Sequence, residues 1–407
     1  MGEHTIKNLE EVLNGCIKKD KRITEKNITN LTAPGENFGS IMLKLDVTLK
    51  DENDGTEDEL HAVAKMIPSD EFARKAFNIQ VTFKNEIGMY NVIAPTLRDF
   101  QRENGVNDVI NCFPEFYGAR INLGEENGDV DENAVLLLEN LNFKGYQVVD
   151  RFVGFDLETA QLILKDLAAF HAIPLALKLK KPEVFDKKIR PYLARFRPFD
   201  MPDEKEHNSM FIQILQESDK CRPWLSKVEH IFENIKTILE APPKEPFATI
   251  AHGDTWINNT MVKFENGVPV SNKLLDFQVC DYKSPAGDLF FFLFSSVRLS
   301  VLQNNFDDLI EFYHKHFVSN LEKLKCDTGP FGLPKFLEEM KAATPVETVH
   351  CIGMISFIVF GKKGGPSTQF NFSAPPDIEK MKANISTAAK EKIWYLIHVC
   401  GRKGWLD

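Results

Sequence analysis

His252-Gly253-Asp254-Thr255-Trp256-Ile257-Asn258-Asn259, followed at a short interval by Lys273-Leu274-Leu275-Asp276-Phe277, brings two carboxylates and an amide close together in the chain. A hydrophobic run, Phe247 to Ala251, leads into the first segment, and a second apolar run ends at Asp276. Both acids are therefore expected where strands give way to loops, the usual place for chemistry-bearing side chains. These residue types suit phosphoryl transfer. A transferring phosphoryl group spreads negative charge over its equatorial oxygens, so its site needs hard cations held by oxygen ligands and one carboxylate aimed at the attacking hydroxyl.

Asp254 and Asn259 stand five positions apart, the interval of the H-R-D-x-x-x-x-N loop. On that spacing Asp254 reads as the base, with Asn259 and Asp276 as Mg²⁺ ligands. Turn residues bonding their own backbone would explain HGD or NN singly, but not the flanking strands and the interval together. Upstream, Ala62-Val63-Ala64-Lys65-Met66 reads as a strand carrying a lysine in the manner of V-A-I-K, and an unpaired buried ammonium is too costly to be accidental there. Its natural partner is Glu86, in a helical segment with Phe83, Ile87, Tyr90 and Ile93 along one face. Gly35, Asn37, Gly39 and Ser40, in Pro34-Gly35-Glu36-Asn37-Phe38-Gly39-Ser40, lie where a loop should cover nucleotide phosphates, although a plain hairpin turn accounts for two glycines nearly as well. Strands at Phe116 to Ile121 and Ala134 to Glu139 then lead to a hinge, Glu139-Asn140-Leu141, where the backbone of Glu139 and Leu141 would meet adenine.

The coarse pattern predicts an α+β chain in two parts. Residues 1–138 run amphipathic helix, three strands, helix and two strands, a small antiparallel-sheet N-lobe for ATP; residues 139–407 form a large helical C-lobe for catalysis and substrate binding. Glu158 to Ala172 is expected as a helix stopping before Pro174, with His171 at its C-terminal end and the helix dipole explaining that histidine. Asp288 is expected to cap a helix and tie down the Asp254 loop.

The ordered set, Gly35 to Ser40, Lys65, Glu86, LLLEN at Leu136 to Asn140, HGDTWINN, LLDFQ at Leu274 to Gln278 and SPAGDL at Ser284 to Leu289, resembles the ecdysteroid kinase-like family, relatives of choline kinases and aminoglycoside phosphotransferases. The resemblance covers about residues 25–300. It implies a protein kinase-like two-lobed fold and an ATP- and Mg²⁺-dependent kinase for a small hydroxylated molecule, ecdysteroids or other hydroxylated metabolites and toxins. Two other readings stand beside it, a choline- or ethanolamine-type kinase and an inactive binding protein that keeps the fold. The second would fit loss of Lys65, Asp254, Asn259 or Asp276, and all four are present. A protein kinase fits poorly: Gly253 replaces the Arg of HRD, Gln278 replaces the Gly of DFG, and only twelve positions separate Asp276 from Asp288, too few for an activation segment.

Composition narrows the rest. A net charge of −10 over 407 residues disfavours general nucleic-acid or anionic-membrane partners. Seven scattered cysteines without a CxxC pair, and a start lacking an apolar leader, fit reduced thiols in the cytosol. Leu289 to Leu302 and Cys351 to Phe360 are apolar but too short or interrupted to span a bilayer, and are expected as buried helices. The 32 phenylalanines, with Phe290, Phe291, Phe292, Phe294, Phe306, Phe312 and Phe317 following Asp288, favour an apolar alcohol as the acceptor.

Overall fold

The computed structural model describes residues 5–17, 20–31, 40–124, 128–195, 204–360 and 378–407. A short helix, α1 (Leu9–Leu13), precedes β1 (Lys21–Asn30), β2 (Ile41–Asp51) and β3 (Glu57–Met66). Next come α2 (Glu71–Ala76), α3 (Ile79–Gly88) with a π-helical turn over Met89–Ile93, α4 (Ala94–Glu103), β4 (Phe116–Arg120) and β5 (Val135–Glu139). The five strands form one antiparallel sheet in the order β1-β2-β3-β5-β4.

Side-chain alternation sorts the sheet's two faces. Leu43, Leu45, Val47 and Leu49 of β2 point to a small cluster closed by Leu9, Val12 and Leu13 of α1. In β5, Val135 and Leu137 join that cluster, while Leu136 and Leu138 face the main core with Phe83 of α3. A strand covered on both sides must be apolar throughout, as Val135 to Leu138 is.

The helical part opens with a 3₁₀ turn (Leu141–Lys144) and β6 (Tyr146–Gln147), then α5 (Leu157–Lys180), α6 (Pro182–Lys188), α7 (Glu204–Gln216) and α8 (Leu225–Glu240). It continues with β7 (Thr249–Ala251), β8 (Thr260–Glu265), β9 (Val268–Leu274) and β10 (Asp281–Lys283), then α9 (Pro285–Ser296), α10 (Leu299–Lys323), α11 (Leu333–Met354), α12 (Ile378–Asn384) and α13 (Thr387–Arg402). Strands β6-β8-β9 make one small sheet and β10-β7 another. Helix α5 packs along α10, and α11 along α9. The two-lobed α+β architecture expected from the sequence is present.

Two helix boundaries differ from expectation. The helix through His171 does not stop at Ala172 but runs across Pro174 to Lys180. Proline forfeits one backbone hydrogen bond there, yet Ile173, Leu175, Ala176 and Leu177 are all buried, and that packing outweighs the lost bond. The apolar stretch Leu289 to Leu302 is broken at Val297, which is extended and separates α9 from α10. Leu333–Val359, α11 with its terminal π turn, is by length and composition the one described helix able to cross a membrane, but Phe336, Met340, Cys351 and Ile352 pack into the core.

Candidate active site

The inner end of β3 and the middle of α3 bring Lys65 and Glu86 together. The Lys65 ammonium lies 2.7 Å from Glu86 Oε2 and 2.9 Å from Asp276 Oδ1. Lys65 is only 5% exposed and Glu86 1%. Burial alone would lower the Lys65 pKa, but Asp276 and Glu86 together hold it above the ordinary lysine value, so the ammonium stays charged. One ammonium cannot satisfy two carboxylates in full. Burial, reinforced by Asp276, pushes the Glu86 carboxyl up to about 7 against the pull of Lys65.

Asp276 follows β9 with φ +64°, in the left-handed region, a conformation costing a non-glycine residue about 1–2 kcal/mol. Its neighbour clamps it: Leu275 N–H donates to the Asn259 carbonyl at 2.9 Å, and His252 Nε2–H donates to the Leu275 carbonyl at 2.9 Å. Asn259 Nδ2 donates to Asp254 Oδ2 at 2.8 Å and to the Asp254 carbonyl at 2.9 Å. That leaves the Asn259 amide oxygen, with the second oxygen of Asp276, for a hard cation. One carboxylate and one amide oxygen, completed by water and phosphate, suit Mg²⁺.

Asp254 is half-buried, and burial, with the Asp276 charge next in importance, pushes its carboxyl up to about 7. Only the ionised form accepts a proton. Base-dependent turnover should therefore rise with pH through about 7 in the free enzyme and level off above it, with the midpoint lower once a cation offsets Asp276. A kcat/KM profile for the acceptor, flat from pH 5 to 9, would remove Asp254 from that role.

Gly253 shows why the loop carries no arginine. Its φ is +80°, and an added Cβ would lie 2.8 Å from the Val279 carbonyl oxygen. Gly253→Ala should cost at least about 1 kcal/mol in a denaturation midpoint and blunt turnover through the adjoining Asp254.

Asp288 holds this loop in place, but not as a helix cap. Ser284 caps α9, its hydroxyl accepting from Ala286 N–H, and Asp288 lies within the first turn. Its carboxylate accepts from the N–H groups of His252 at 2.5 Å and Gly253 at 2.9 Å, and from His171 Nε2 at 2.9 Å. These donors keep the Asp288 carboxyl below its usual range in spite of burial. His171 Nδ1 then accepts from the Tyr313 hydroxyl at 2.6 Å. His171 is thus a fully buried mid-helix strut, and the helix-end explanation is replaced by this chain of bonds.

At the hinge, the Glu139 N–H is already given to the Glu115 carbonyl at 2.9 Å, so its amide is not free for adenine. Leu141 opens a 3₁₀ turn, where the N–H has no intrahelical partner. Ser40 is half-buried just before β2; Gly35, Asn37 and Gly39 lie outside the described residues. Of the phenylalanines that follow Asp288, Phe290, Phe291, Phe292, Phe294, Phe306 and Phe317 are buried in the core and Phe312 partly so, as expected of buried helices, and as a group they carry no argument about the acceptor. Missing from the sequence reading were Glu347 and His350 of α11, whose side chains meet at 3.1 Å and whose ring stacks on Phe291. An acid and a histidine one turn apart in an apolar helix were the available signal.

The sequence profile of the ecdysteroid kinase-like family matches residues 34–326. No curated protein sequence matches the chain. Among solved structures, the chain is similar to choline kinase from Cryptosporidium parvum, at 9% identity over 93% of this chain and 91% of that one, with a TM-score of 0.43. It is similar as well to ethanolamine kinase from Plasmodium vivax, at 13% identity over 88% and 80%, TM-score 0.37. A spectinomycin phosphotransferase solved with ADP and spectinomycin matches at 9% identity over 97% of both chains, TM-score 0.39. With its profile spanning the Lys65, Asp254 and Asp276 segments, the chain belongs to the ecdysteroid kinase-like family and is a small-molecule phosphotransferase acting on hydroxyl groups.

Proposed function

We propose that the protein transfers the γ-phosphoryl group of ATP directly to a hydroxyl of a small, largely apolar molecule, an ecdysteroid or another hydroxylated metabolite or xenobiotic. The observation that carries this reading is the convergence of Glu86 and Asp276 on the Lys65 ammonium, with Asp254 and Asn259 joined to the same loop system. Residues 1–138 bind the nucleotide and residues 139–407 supply base, cation ligands and acceptor site. Lys65, oriented by Glu86, contacts the phosphates, and the Leu141 N–H meets adenine.

Asn259 and Asp276 would hold Mg²⁺, which supplies charge neutralisation at the triphosphate. Asp254 takes the proton of the acceptor hydroxyl as its oxygen bonds to phosphorus and the bond to ADP breaks. The loop held by Asp288 keeps that carboxylate in place, so no phosphorylated enzyme intermediate is needed. Mass spectrometry after turnover should find a phosphate ester of the acceptor and unmodified protein.

The direct test is ATP turnover with Mg²⁺ across steroids, choline, ethanolamine, sugars and hydroxylated xenobiotics. Phosphate on choline or ethanolamine would displace the apolar acceptor and leave the kinase intact. Nucleotide binding has its own readout: Mg²⁺-ATP at about 100 times its Kd should stabilise the fold by roughly 2.7 kcal/mol in thermal unfolding. No ATP-dependent shift, with or without Mg²⁺, would count against the whole assignment.

A further inference from the structure

The first turn of α9 holds the Asp254 loop through Asp288, and the next turn carries Phe291. The His350 ring lies flat against Phe291, centroids 3.9 Å apart and planes within 6°. Glu347 Oε2 takes His350 Nδ1 at 3.1 Å. The Glu347 carboxylate is itself seated over Gly287, where an added Cβ would fall 3.0 Å from its oxygen. The ring is therefore fixed both in its plane and about its axis. Side-chain exposure of 33% for His350 and 14% for Glu347 leaves the pair open to a ligand, and Asp254 and His350 lie close enough to feel each other's charge. With Nδ1 committed to Glu347, Nε2 has no partner among the described residues.

We propose that His350, oriented by Glu347 and Phe291, positions the acceptor, its Nε2 hydrogen-bonding a second oxygen of the alcohol whose reacting hydroxyl meets Asp254. This rests on the kinase reading above and deepens it. Burial would discharge the ring, but Glu347 outweighs burial and, with Asp254, raises the His350 pKa above the ordinary histidine value against the opposing charge of Lys283. A doubly protonated ring offers an Nε2–H donor. Neutral acceptors with two oxygens, diols and hydroxy-ketones, present a lone pair to it; an ammonium alcohol presents none and meets a like charge.

The test uses the full chain with ecdysone as a neutral polyol probe and choline as an ammonium probe. His350→Phe can keep the stack on Phe291 and has no Nε2. It should raise KM for ecdysone at least about tenfold, the worth of a hydrogen bond to a charged donor, with KM for ATP unchanged. His350→Gln, which keeps an amide donor, should recover part of the loss, and Glu347→Gln should fall between. An unchanged ecdysone KM in His350→Phe, parallel rises for ecdysone and ATP, or wild-type turnover of choline in preference to ecdysone would each overturn the inference. If wild type turns over neither alcohol, ring-labelled histidine NMR reads ecdysone binding directly, and a His350 signal indifferent to ecdysone overturns it too. Failure of the kinase reading looks different: wild type would then show no thermal shift with Mg²⁺-ATP.

Discussion

Asp254→Asn should bind Mg²⁺-ATP as wild type does while kcat falls by about 10² to 10⁴, the usual worth of a positioned general base. The substitution is nearly isosteric. The introduced amide oxygen can still accept from Asn259 Nδ2, as Asp254 does at 2.8 Å, so the loop keeps its shape. What disappears is a basic lone pair and a negative charge close to Asp276. Burial and Asp276 are what raise the Asp254 pKa, so removing the charge should leave the folded state at least as stable. ADP release measured beside a nucleotide-dependent thermal shift separates the two effects. A kcat within about threefold of wild type, or loss of the ATP shift, would show that the carboxylate is not the base.

Replacement of Lys65 by methionine should cost the nucleotide-free protein about 3–5 kcal/mol, because it leaves buried carboxylates without their cation. Glu86, nearly inaccessible, bears most of this; Asp276, with 29% of its side chain exposed, is partly rescued by water. The sign of the pH dependence follows. With the cation gone, Glu86 can escape its penalty by taking up a proton, and its pKa is about 7 even with Lys65 present. The destabilisation should accordingly be larger at pH 8 than at pH 5. Urea midpoints at the two pH values check this, and a Lys65→Met, Glu86→Leu pair should recover much of the loss. A methionine variant as stable as wild type at pH 8 would mean that the three side chains do not share a buried site. Phosphate positioning should suffer in either variant.

That Lys65, Glu86 and Asp276 would meet, and that Asp254 would join Asn259, was legible in the sequence because the expected chemistry restricts each position to a few residue types, and local spacing carries them. The sheet was legible for a simpler reason, since alternation in β2 and a continuous apolar run in β5 report one- and two-sided burial. Long-range bonds left no such trace. Asp288 finds His171 across 117 positions and His171 finds Tyr313 across 142, and no local pattern encodes either pairing. Pro174 misled because its helix-breaking preference is local whereas the packing of α5 is not. The phenylalanines after Asp288 left the acceptor open because composition reports how much apolar surface exists, not which side of a wall it covers.

The contact between Lys65 and Asp276 joins a strand of one lobe to a loop of the other, a latch made by the protein itself. Under the proposed function, a triphosphate arriving with a cation would offer Lys65 an anion and Asp276 a cation. The latch can then be exchanged for two protein–ligand pairs without stranding a charge at any stage. Its hold is felt on the way in, where partial opening exposes both charges to salt. Association of nucleotide should for that reason vary with ionic strength more steeply than its release, and Asp276→Asn, which loosens the latch, should speed association even as it weakens the final complex.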